Sequence, residues 1–136
     1  MPRAVIAGSG SEIATNLVTN DMLARVMETS DAWIRERTGV QTRYFVDRGV
    51  TTTDLAEAAS RRAIDSAGIE PAAIDLVVFA TMTPDYYFPG CGGLLQTRLG
   101  LRTIPCLDIR QQCSGFIYGL QVANAYIKGG LARTVL

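Results

Sequence analysis

Histidine is absent from this chain of 136 residues, and so are long apolar runs and a surplus of either charge. Thirteen basic and thirteen acidic residues give a formal net charge of zero, which argues against nucleic acid or an anionic membrane as the main partner. No apolar run has the length that spans a bilayer. Without histidine, a zinc site lacks its usual nitrogen ligand, and a cysteine nucleophile lacks its common base within this chain.

Cysteine is also scarce. The three residues Cys91, Cys106 and Cys113 are an odd number, and their spacing is not that of metal ligands. Free thiols are typical of a reducing compartment, and Met1-Pro2-Arg3 leads into the chain without a signal-peptide pattern. We therefore expect a cytoplasmic protein without a metal site.

What the chain does contain is an alternation of strand and helix patterns. Residues 74–81 and 104–109 are apolar runs, and residues 74–81 are apolar on both faces, which is typical of a central parallel strand. Shorter strands are predicted at residues 4–7 and at the start of residues 133–136. Segments with helical spacing separate these runs. The order predicts a layered α/β fold with a mainly parallel sheet.

Five helices are predicted between the strands. They cover residues 19–27, 31–38 and 54–67, a segment opened by Pro89, and residues 112–129. Asp54 and Glu57 are predicted as the N-cap and N3 pair of the third helix, whose inner face is mostly alanine and allows a neighbour to approach closely. Gly8 and Gly10 are predicted as a turn and not as a dinucleotide site, because the third glycine position holds Ile13.

Cys113 is predicted where the strand at residues 104–109 ends and the last helix begins. Free N–H groups and the helix dipole at such a point favour the thiolate, which is the nucleophilic form. Two alternatives stand beside it: Cys113 as an inert buried thiol, and Cys91, in the first turn of another helix, as the nucleophile. Cys106 is predicted to be core. Because ligands of parallel sheets bind beyond the carboxyl ends of strands, Cys113 is favoured.

Two aromatic features also admit more than one interpretation. Trp33, the single tryptophan, lies near Arg35 and Arg37. Its pattern slightly favours packing in the core, whereas an aromatic ring beside arginines can also stack on a nucleotide base. The loop of residues 83–90 carries three aromatic side chains, more than a solvated loop needs, so an interface or a pocket mouth is predicted there.

Six short motifs follow one another along the chain. They are Val18-Thr19-Asn20, Thr29-Ser30-Asp31-Ala32-Trp33-Ile34, Arg37-Thr38-Gly39-Val40, Ala67-Gly68-Ile69, Phe88-Pro89 and Cys113-Ser114-Gly115-Phe116. In this order they resemble the N-terminal half of a β-ketoacyl-[acyl carrier protein] synthase III, a condensing enzyme of the thiolase-like fold. The resemblance implies that residues 1–136 are the first half of a longer acyltransferase and are inactive alone.

The resemblance also implies a reaction and its residues. Cys113 takes the acyl group of an acyl-coenzyme A, and a malonyl thioester, carried by acyl carrier protein or coenzyme A, is decarboxylated and condensed with it. Trp33 and Arg37 hold coenzyme A, with Thr29 in support and the indole stacked on adenine. Phe88 reaches across a homodimer towards the partner's pocket. No cofactor is implied, and the histidine and asparagine for decarboxylation lie outside this chain.

Two departures from the family's pattern bear on the substrate. Arg110, Gln111 and Gln112 stand where the family has small residues, and Tyr86 and Tyr87 replace less bulky ones. Both imply that the accepted acyl group differs from the family's standard one. Two other functions stay open from the sequence. One is acyl transfer from the cysteine to an alcohol or amine without condensation, and the other is a non-catalytic or chain-length-modifying partner of the same fold.

Overall fold

The computed structural model describes residues 3–136. Met1-Pro2, which entered the prediction of the compartment, lies outside the described residues. The chain divides into two compact units. The smaller unit is Ile13–Val50, and the larger one combines Thr51–Leu136 with the residues up to Glu12. In the described part, no helix is long and apolar enough to cross a membrane.

The smaller unit combines a two-stranded sheet with two helices. Its elements are β1 (Asn16–Thr19), α1 (Asn20–Ala24), α2 (Asp31–Thr38) and β2 (Thr42–Phe45). Strands β1 and β2 pair antiparallel, with Leu17 opposite Tyr44. Helix α2 begins after Ser30, whose hydroxyl accepts a hydrogen bond from the Trp33 N–H at 3.1 Å, and it ends at Gly39, which has φ +71°. The predicted helix over residues 31–38 is confirmed.

Helix α1 is shorter than predicted. Thr19 caps it by accepting a hydrogen bond from the Met22 N–H at 3.2 Å. The helix ends at Ala24 instead of residue 27. Val26 and Met27 are 77 % and 54 % exposed, so no buried apolar contact holds a further turn. Tertiary packing supplies most of the stability of a short helix, which explains the early end.

The larger unit has the α/β order that the sequence predicts. Its elements are α3 (Thr52–Ala67), β3 (Val77–Ala80), α4 (Gly92–Arg98), β4 (Cys106–Ile109) and α5 (Gly115–Lys128), with 3₁₀ helices at Pro71–Ala73 and Gln112–Ser114. Strand β3 pairs in parallel with β4, with Val77 opposite Cys106. On its other edge, Leu76 forms a parallel bridge to Val135. The parallel pairing of the two predicted central runs is therefore confirmed.

The core of the larger unit is built around β3. Ile74, Leu76 and Val77 are less than 2 % exposed. Ile74 and Val77 pack in one apolar cluster with Ile64 of α3 and Leu95 of α4. Leu99 and Ile104 also belong to this cluster. Leu76 and Val77 project to opposite faces, so the start of this run is covered on both, as its apolar sequence predicts, whereas Val78 is half-buried and Ala80 is exposed.

The strand predicted at residues 4–7 is not formed. This segment has no regular secondary structure, and Val5 and Ile6 are 79 % and 77 % exposed. None of the described strand pairs of this unit includes the segment: β3 pairs with β4, and Leu76 bridges to Val135. An extended segment without inter-strand hydrogen bonds is not a strand.

Helix α3 starts earlier than predicted, and Thr51 rather than Asp54 is its N-cap. Thr51 has an extended backbone, with φ −108° and ψ 168°. Its hydroxyl accepts from the Asp54 N–H at 3.3 Å, while the Asp54 carboxylate accepts from the Thr51 N–H at 2.7 Å. This is a capping box in which Asp54 occupies N3. Glu57 instead forms an ion pair with Arg61 at 2.8 Å.

Residues 83–90, hereafter the aromatic loop, connect β3 to α4. Pro89 does not open the helix as predicted. Gly90 has φ +105°, a value outside the helical region, and α4 begins at Gly92. Three aromatic side chains of the loop are exposed, as predicted: Tyr86 by 61 %, Tyr87 by 75 % and Phe88 by 91 %.

The alanine face of α3 receives the N-terminal segment at close range. A Cβ atom added to Gly10 would lie 2.2 Å from the carbonyl oxygen of Ala59, and one added to Gly8 would lie 2.5 Å from that of Ala63. Both distances are shorter than a van der Waals contact. The predicted close approach of a neighbouring segment to the alanine face is confirmed. Glycine is required at both positions, because only a residue without a side chain permits this contact.

We predict that Gly10→Ala destabilises the fold while Gly93→Ala does not. The added methyl at Gly10 overlaps the backbone of α3, which should lower the free energy of unfolding by about 1–3 kcal/mol. Gly93 lies within α4 with no atom within 4 Å of an added Cβ, so alanine there should leave stability unchanged or raise it by up to about 1 kcal/mol. Urea unfolding of the full-length protein measures both. Equal midpoints for the two variants would contradict the packing described.

Candidate active site

Cys113 lies on the sharp turn that joins β4 to α5. Strand β4 ends at Ile109, the 3₁₀ helix Gln112–Ser114 follows, and α5 begins at Gly115. Gln112 has φ +20°, a positive value that few residues other than glycine adopt. The side chain of Cys113 is exposed at this turn. The predicted position between strand and helix is therefore observed, with the α-helix starting three residues later than the predicted 112.

The start of α5 offers hydrogen-bond donors next to Cys113. Ser114 is the N-cap residue, yet its side chain makes no capping hydrogen bond. The first N–H groups of the helix are thus left without a side-chain cap, and with the positive end of the dipole they favour an anion at this point. Gly115 is buried, and a Cβ added to it would lie 3.6 Å from the Ala80 Cβ. The turn therefore lies against the end of β3.

The other two cysteines have different surroundings. Cys91 is 0 % exposed, and its Sγ accepts a hydrogen bond from the Asp85 N–H at 3.2 Å. Cys106 is half-buried, and burial, together with the negative charge of Asp108, raises the pKa of its thiol, which favours the inert protonated form. Among the described residues, Cys113 is the exposed cysteine. Within residues 3–136 no three histidine, cysteine or acidic side chains cluster as a metal site requires.

Trp33 and Arg37 lie one turn apart on α2 and contact each other. The guanidinium carbon of Arg37 is 4.8 Å from the centroid of the indole ring, a cation–π distance. Trp33 is 52 % exposed, whereas its neighbour Ile34 is buried. The interpretation of Trp33 as a core residue is therefore wrong for this unit. The ring offers an accessible aromatic surface beside a permanent positive charge.

A buried amide holds the two ends of α2. Asn20 is 1 % exposed. Its Nδ2 donates to Asp31 Oδ1 at 2.7 Å and to the carbonyl oxygen of Val40 at 2.9 Å, and its Oδ1 accepts from Arg43 Nη2 at 2.6 Å. A hydrogen bond from Arg35, followed by the one from Asn20, lowers the pKa of the Asp31 carboxyl. Sequence pattern alone does not predict this network.

Thr29 lies directly before the N-cap Ser30 of the same helix. Its hydroxyl oxygen is buried, and it has no hydrogen-bond partner among residues 3–136. The predicted ligand-binding residues Trp33 and Arg37 thus lie on α2 of the smaller unit, and Thr29 lies just before its N-cap. Cys113 and Phe88 belong to the larger unit.

The first half of the aromatic loop is tied to α3. The Thr52 hydroxyl donates to the carbonyl oxygen of Thr83 at 2.6 Å, and the Asp85 carboxylate accepts from the Thr53 N–H at 3.2 Å. Burial acts to raise the pKa of Asp85, but hydrogen bonds from Thr53 and Thr51 outweigh it, so the pKa lies below its ordinary value. The carboxylate therefore stays ionised and keeps the loop on the helix N-terminus.

Asp108 holds the end of the same loop and was not predicted from the sequence. Its Oδ1 accepts from the Cys91 N–H at 2.6 Å, and its Oδ2 accepts from the Gly92 N–H at 3.0 Å. These are the first donors of α4, so the carboxylate serves as the cap that this helix otherwise lacks. The signal that could have found it is a charged residue within an otherwise apolar strand, since such charges are rarely buried without a partner.

Comparison with known proteins agrees with this arrangement. The profile of the 3-oxoacyl-[acyl-carrier-protein (ACP)] synthase III family matches residues 107–136, which include Cys113. The beta-ketoacyl-[acyl-carrier-protein] synthase III of Rhodospirillum rubrum is 53 % identical over 137 residues, a match that covers 100 % of this chain and 42 % of that relative. The chain thus spans less than half the length of the curated relatives it matches.

Solved structures extend the likeness to the fold. The crystal structure of 3-oxoacyl-[acyl-carrier-protein] synthase III from Aquifex aeolicus superposes with a TM-score of 0.86 at 37 % identity, covering 92 % of this chain and 40 % of that one. The priming β-ketosynthase of the R1128 polyketide biosynthetic pathway gives 0.86 at 32 % identity, covering 92 % and 37 %. The chain is therefore similar, in sequence and in its thiolase-like fold, to the N-terminal part of β-ketoacyl-[acyl-carrier-protein] synthase III proteins, as its motifs predict.

Proposed function

We propose that the full-length protein is an acyltransferase that loads an acyl group from acyl-coenzyme A onto Cys113 and condenses it with a malonyl thioester. The observation that carries this proposal is the exposed Cys113 at the uncapped start of α5, beyond the carboxyl end of a parallel strand. That position supplies an accessible thiol at the edge of the sheet where ligands of parallel sheets bind. Coenzyme A thioesters and free thiols agree with a cytoplasmic setting.

The proposed reaction has two covalent steps. The thiolate of Cys113 attacks the thioester carbonyl carbon, a new carbon–sulfur bond forms, and coenzyme A leaves as its thiolate. The malonyl thioester then loses carbon dioxide, and its electron pair passes to an enolate. The enolate carbon attacks the acyl carbonyl carbon, and Cys113 leaves as a thiolate, which yields a 3-oxoacyl thioester. The enolate is stabilised by hydrogen-bond donors; the resemblance implies a histidine and an asparagine for this role, and residues 1–136 contain no histidine.

For the smaller unit, we propose that Trp33, Arg37 and Thr29 bind coenzyme A. One face of the indole ring carries the Arg37 guanidinium, and the exposed remainder of the ring suits an adenine base. The positive charge of Arg37 complements a phosphate. Thr29 contributes a buried hydroxyl that has no partner in residues 3–136 and that a bound ligand can satisfy.

The pathway in which such a protein works is either fatty acid initiation or polyketide initiation. The first is supported by the synthase III relatives, and the second by the likeness to a priming β-ketosynthase at 32 % identity. The bulky Arg110, Tyr86 and Tyr87 favour an acyl group other than the family's usual one. The malonyl thioester is expected on acyl carrier protein or on coenzyme A.

We predict that Cys113 carries the acyl group. After incubation of the full-length protein with a panel of acyl-coenzyme A thioesters, peptide mapping should find the added mass on Cys113. Cys113→Ala should abolish the label and leave the fold intact, because the side chain is exposed and the change is small. Cys106→Ala is the matched control and should keep the label.

Two results would decide against this assignment. If Cys91 carries the label and Cys113 is unmodified, Cys113 is not the nucleophile. If the labelled protein transfers its acyl group to an alcohol or amine, and malonyl thioester loses no carbon dioxide, the reaction is not a condensation. Activity that survives Cys113→Ala would identify a non-catalytic role for the cysteine.

We predict that Trp33→Ala weakens the primer substrate. Stacking on an aromatic ring is worth about 1–3 kcal/mol per base, so the Michaelis constant for acyl-coenzyme A should rise roughly 10- to 100-fold. Phe45→Ala is the matched control, because Phe45 is equally exposed, by 52 %, in the same unit, and it should leave the constant unchanged. A similar constant for the wild type and Trp33→Ala, with equal thermal stability, would leave Trp33 without a role in binding.

We predict a homodimer in which the aromatic loop lies at or near the interface. The three exposed aromatic rings stand on a backbone that is anchored at both ends, so the apolar surface is preformed. Phe88→Glu should weaken association by placing a charge in that surface. Sedimentation of the full-length protein at micromolar concentration measures the change, and a wild type that is strictly monomeric there contradicts the prediction.

A further inference from the structure

Asn20, the last residue of the Val18-Thr19-Asn20 motif, is a polar side chain in the interior of the smaller unit. It is the first residue of α1 and is 1 % exposed. Burying an amide costs free energy unless its groups are hydrogen-bonded. Its Nδ2 donates to Asp31 and to the carbonyl oxygen of Val40, and its Oδ1 accepts from Arg43. These bonds offset the cost and connect α1 to both ends of α2 and to β2.

The partners of Asn20 determine which side chain suits this position. A carboxylate and a carbonyl oxygen only accept hydrogen bonds, so Asp31 and Val40 both require a donor. The guanidinium of Arg43 only donates and requires an acceptor. Hydrogen bonds from Arg35 and then Asn20 lower the pKa of Asp31, so its carboxylate is ionised and needs a donor throughout the neutral range. An asparagine amide supplies both a donor and an acceptor, whereas an ionised aspartate supplies no donor.

The amide thereby holds α2 at its two ends. Asp31 is the first residue of the helix, and Val40 follows its C-cap residue Gly39. Ile34 is the buried residue between these points. A helix of eight residues depends on tertiary contacts for its stability. With one buried apolar side chain, the position of α2 in the smaller unit therefore depends on the hydrogen bonds at its ends.

The helix held in this way carries the proposed coenzyme A residues. Trp33 and Arg37 lie on α2, between the two points that Asn20 bonds, and both are exposed. A ligand that stacks on the indole ring and pairs with the guanidinium gains most when the two groups already stand in place. If the helix is loose, the ligand must order it on binding, which lowers affinity.

We propose that Asn20 is a positioning residue for the coenzyme A site: by holding α2 at both ends, it keeps Trp33 and Arg37 in their binding geometry before the ligand arrives. This inference rests on the proposed binding of coenzyme A by these two residues. Loss of the amide leaves β1 paired with β2, and Arg43 Nη1 still donates to the carbonyl oxygen of Val18 at 3.2 Å. The sheet of the smaller unit is thus retained while α2 is released.

The test measures binding of free coenzyme A to the full-length protein by isothermal titration calorimetry, which needs no acylation of Cys113. Asn20→Ala removes the amide, and the dissociation constant should rise about 3- to 10-fold, roughly the factor that ordering one side chain on binding costs. Asn20→Asp keeps the shape and the acceptor for Arg43, but it places a second carboxylate beside Asp31. Like charges at this distance repel, so the rise should be at least as large.

A rescue variant and a control make the test specific. Adding Asp31→Asn to Asn20→Asp restores a donor and an acceptor between the two positions with their roles exchanged, so part of the lost affinity should return. Asn16→Ala is the control, because Asn16 Nδ2 also donates to a carboxylate, Asp47 Oδ1 at 2.8 Å, and to a backbone carbonyl, that of Phe45. Both partners lie outside α2, so its dissociation constant should equal that of the wild type.

A double variant shows whether Asn20 acts through the aromatic ring. Asn20→Ala combined with Trp33→Ala should weaken binding by less than the product of the two single factors, because the amide has little left to position once the ring is gone. General destabilisation would instead multiply the two factors. Thermal unfolding of each variant is measured alongside the titrations.

The outcomes separate this inference from the function on which it rests. A wild type that binds no coenzyme A, or one whose binding Trp33→Ala leaves unchanged, overturns the proposed site and this inference with it. If Trp33→Ala weakens binding and both folded Asn20 variants bind as the wild type does, the role of Asn20 alone is overturned. Fully multiplicative factors, or an equal loss in Asn16→Ala, also overturn it. Asn20 variants that do not fold give this residue a role in folding instead, which contradicts positioning.

Discussion

The parallel pairing of β3 with β4 is the interaction on which the larger unit depends. It buries β3 between the flanking helices and the neighbouring strand, with Leu76 and Val77 almost fully removed from water. Because parallel strands end at the same edge of a sheet, the pairing also determines where β4 delivers the chain that contains Cys113. The hydrophobic effect that stabilises this strand pair thereby places Cys113.

Hydrogen bonds of polar groups then fix loop segments next to the apolar core. The carboxylates of Asp85 and Asp108 each accept hydrogen bonds from the start of a helix, α3 in one case and α4 in the other. Such bonds are directional and short, so they fix backbone segments that the non-directional core leaves free. The exposed rings of Tyr87 and Phe88 consequently stand on a loop with a defined course.

Most of the successful sequence predictions rest on residues that act on their near neighbours in the sequence. Ser30 and Gly39 mark the two ends of α2 through effects that act within one turn, a cap and a left-handed backbone. The position of Cys113 follows from a strand pattern that meets a helix pattern. The exposure of Trp33 needed the structure, because burial depends on residues far away in the sequence.

Two of the errors have a non-local origin. Strand β1 was missed because its partner is β2, which follows two helices later. Residues 4–7 have a strand-like composition, but the described strand pairs of the larger unit join β3 to β4 and Leu76 to Val135 and leave this segment out. At α3 the error was local: both Thr51 and Asp54 are good N-cap residues, and only the extended backbone of Thr51 distinguishes the cap from the N3 position.

A crystal structure of the full-length protein after exposure to an acyl-coenzyme A tests the central claim most directly. The account predicts electron density continuous from the Sγ of Cys113 into an acyl group, with the adenine of coenzyme A, where it is retained, against the ring of Trp33. Density on the Sγ of Cys91, or adenine bound away from Trp33 with Cys113 unmodified, would contradict it.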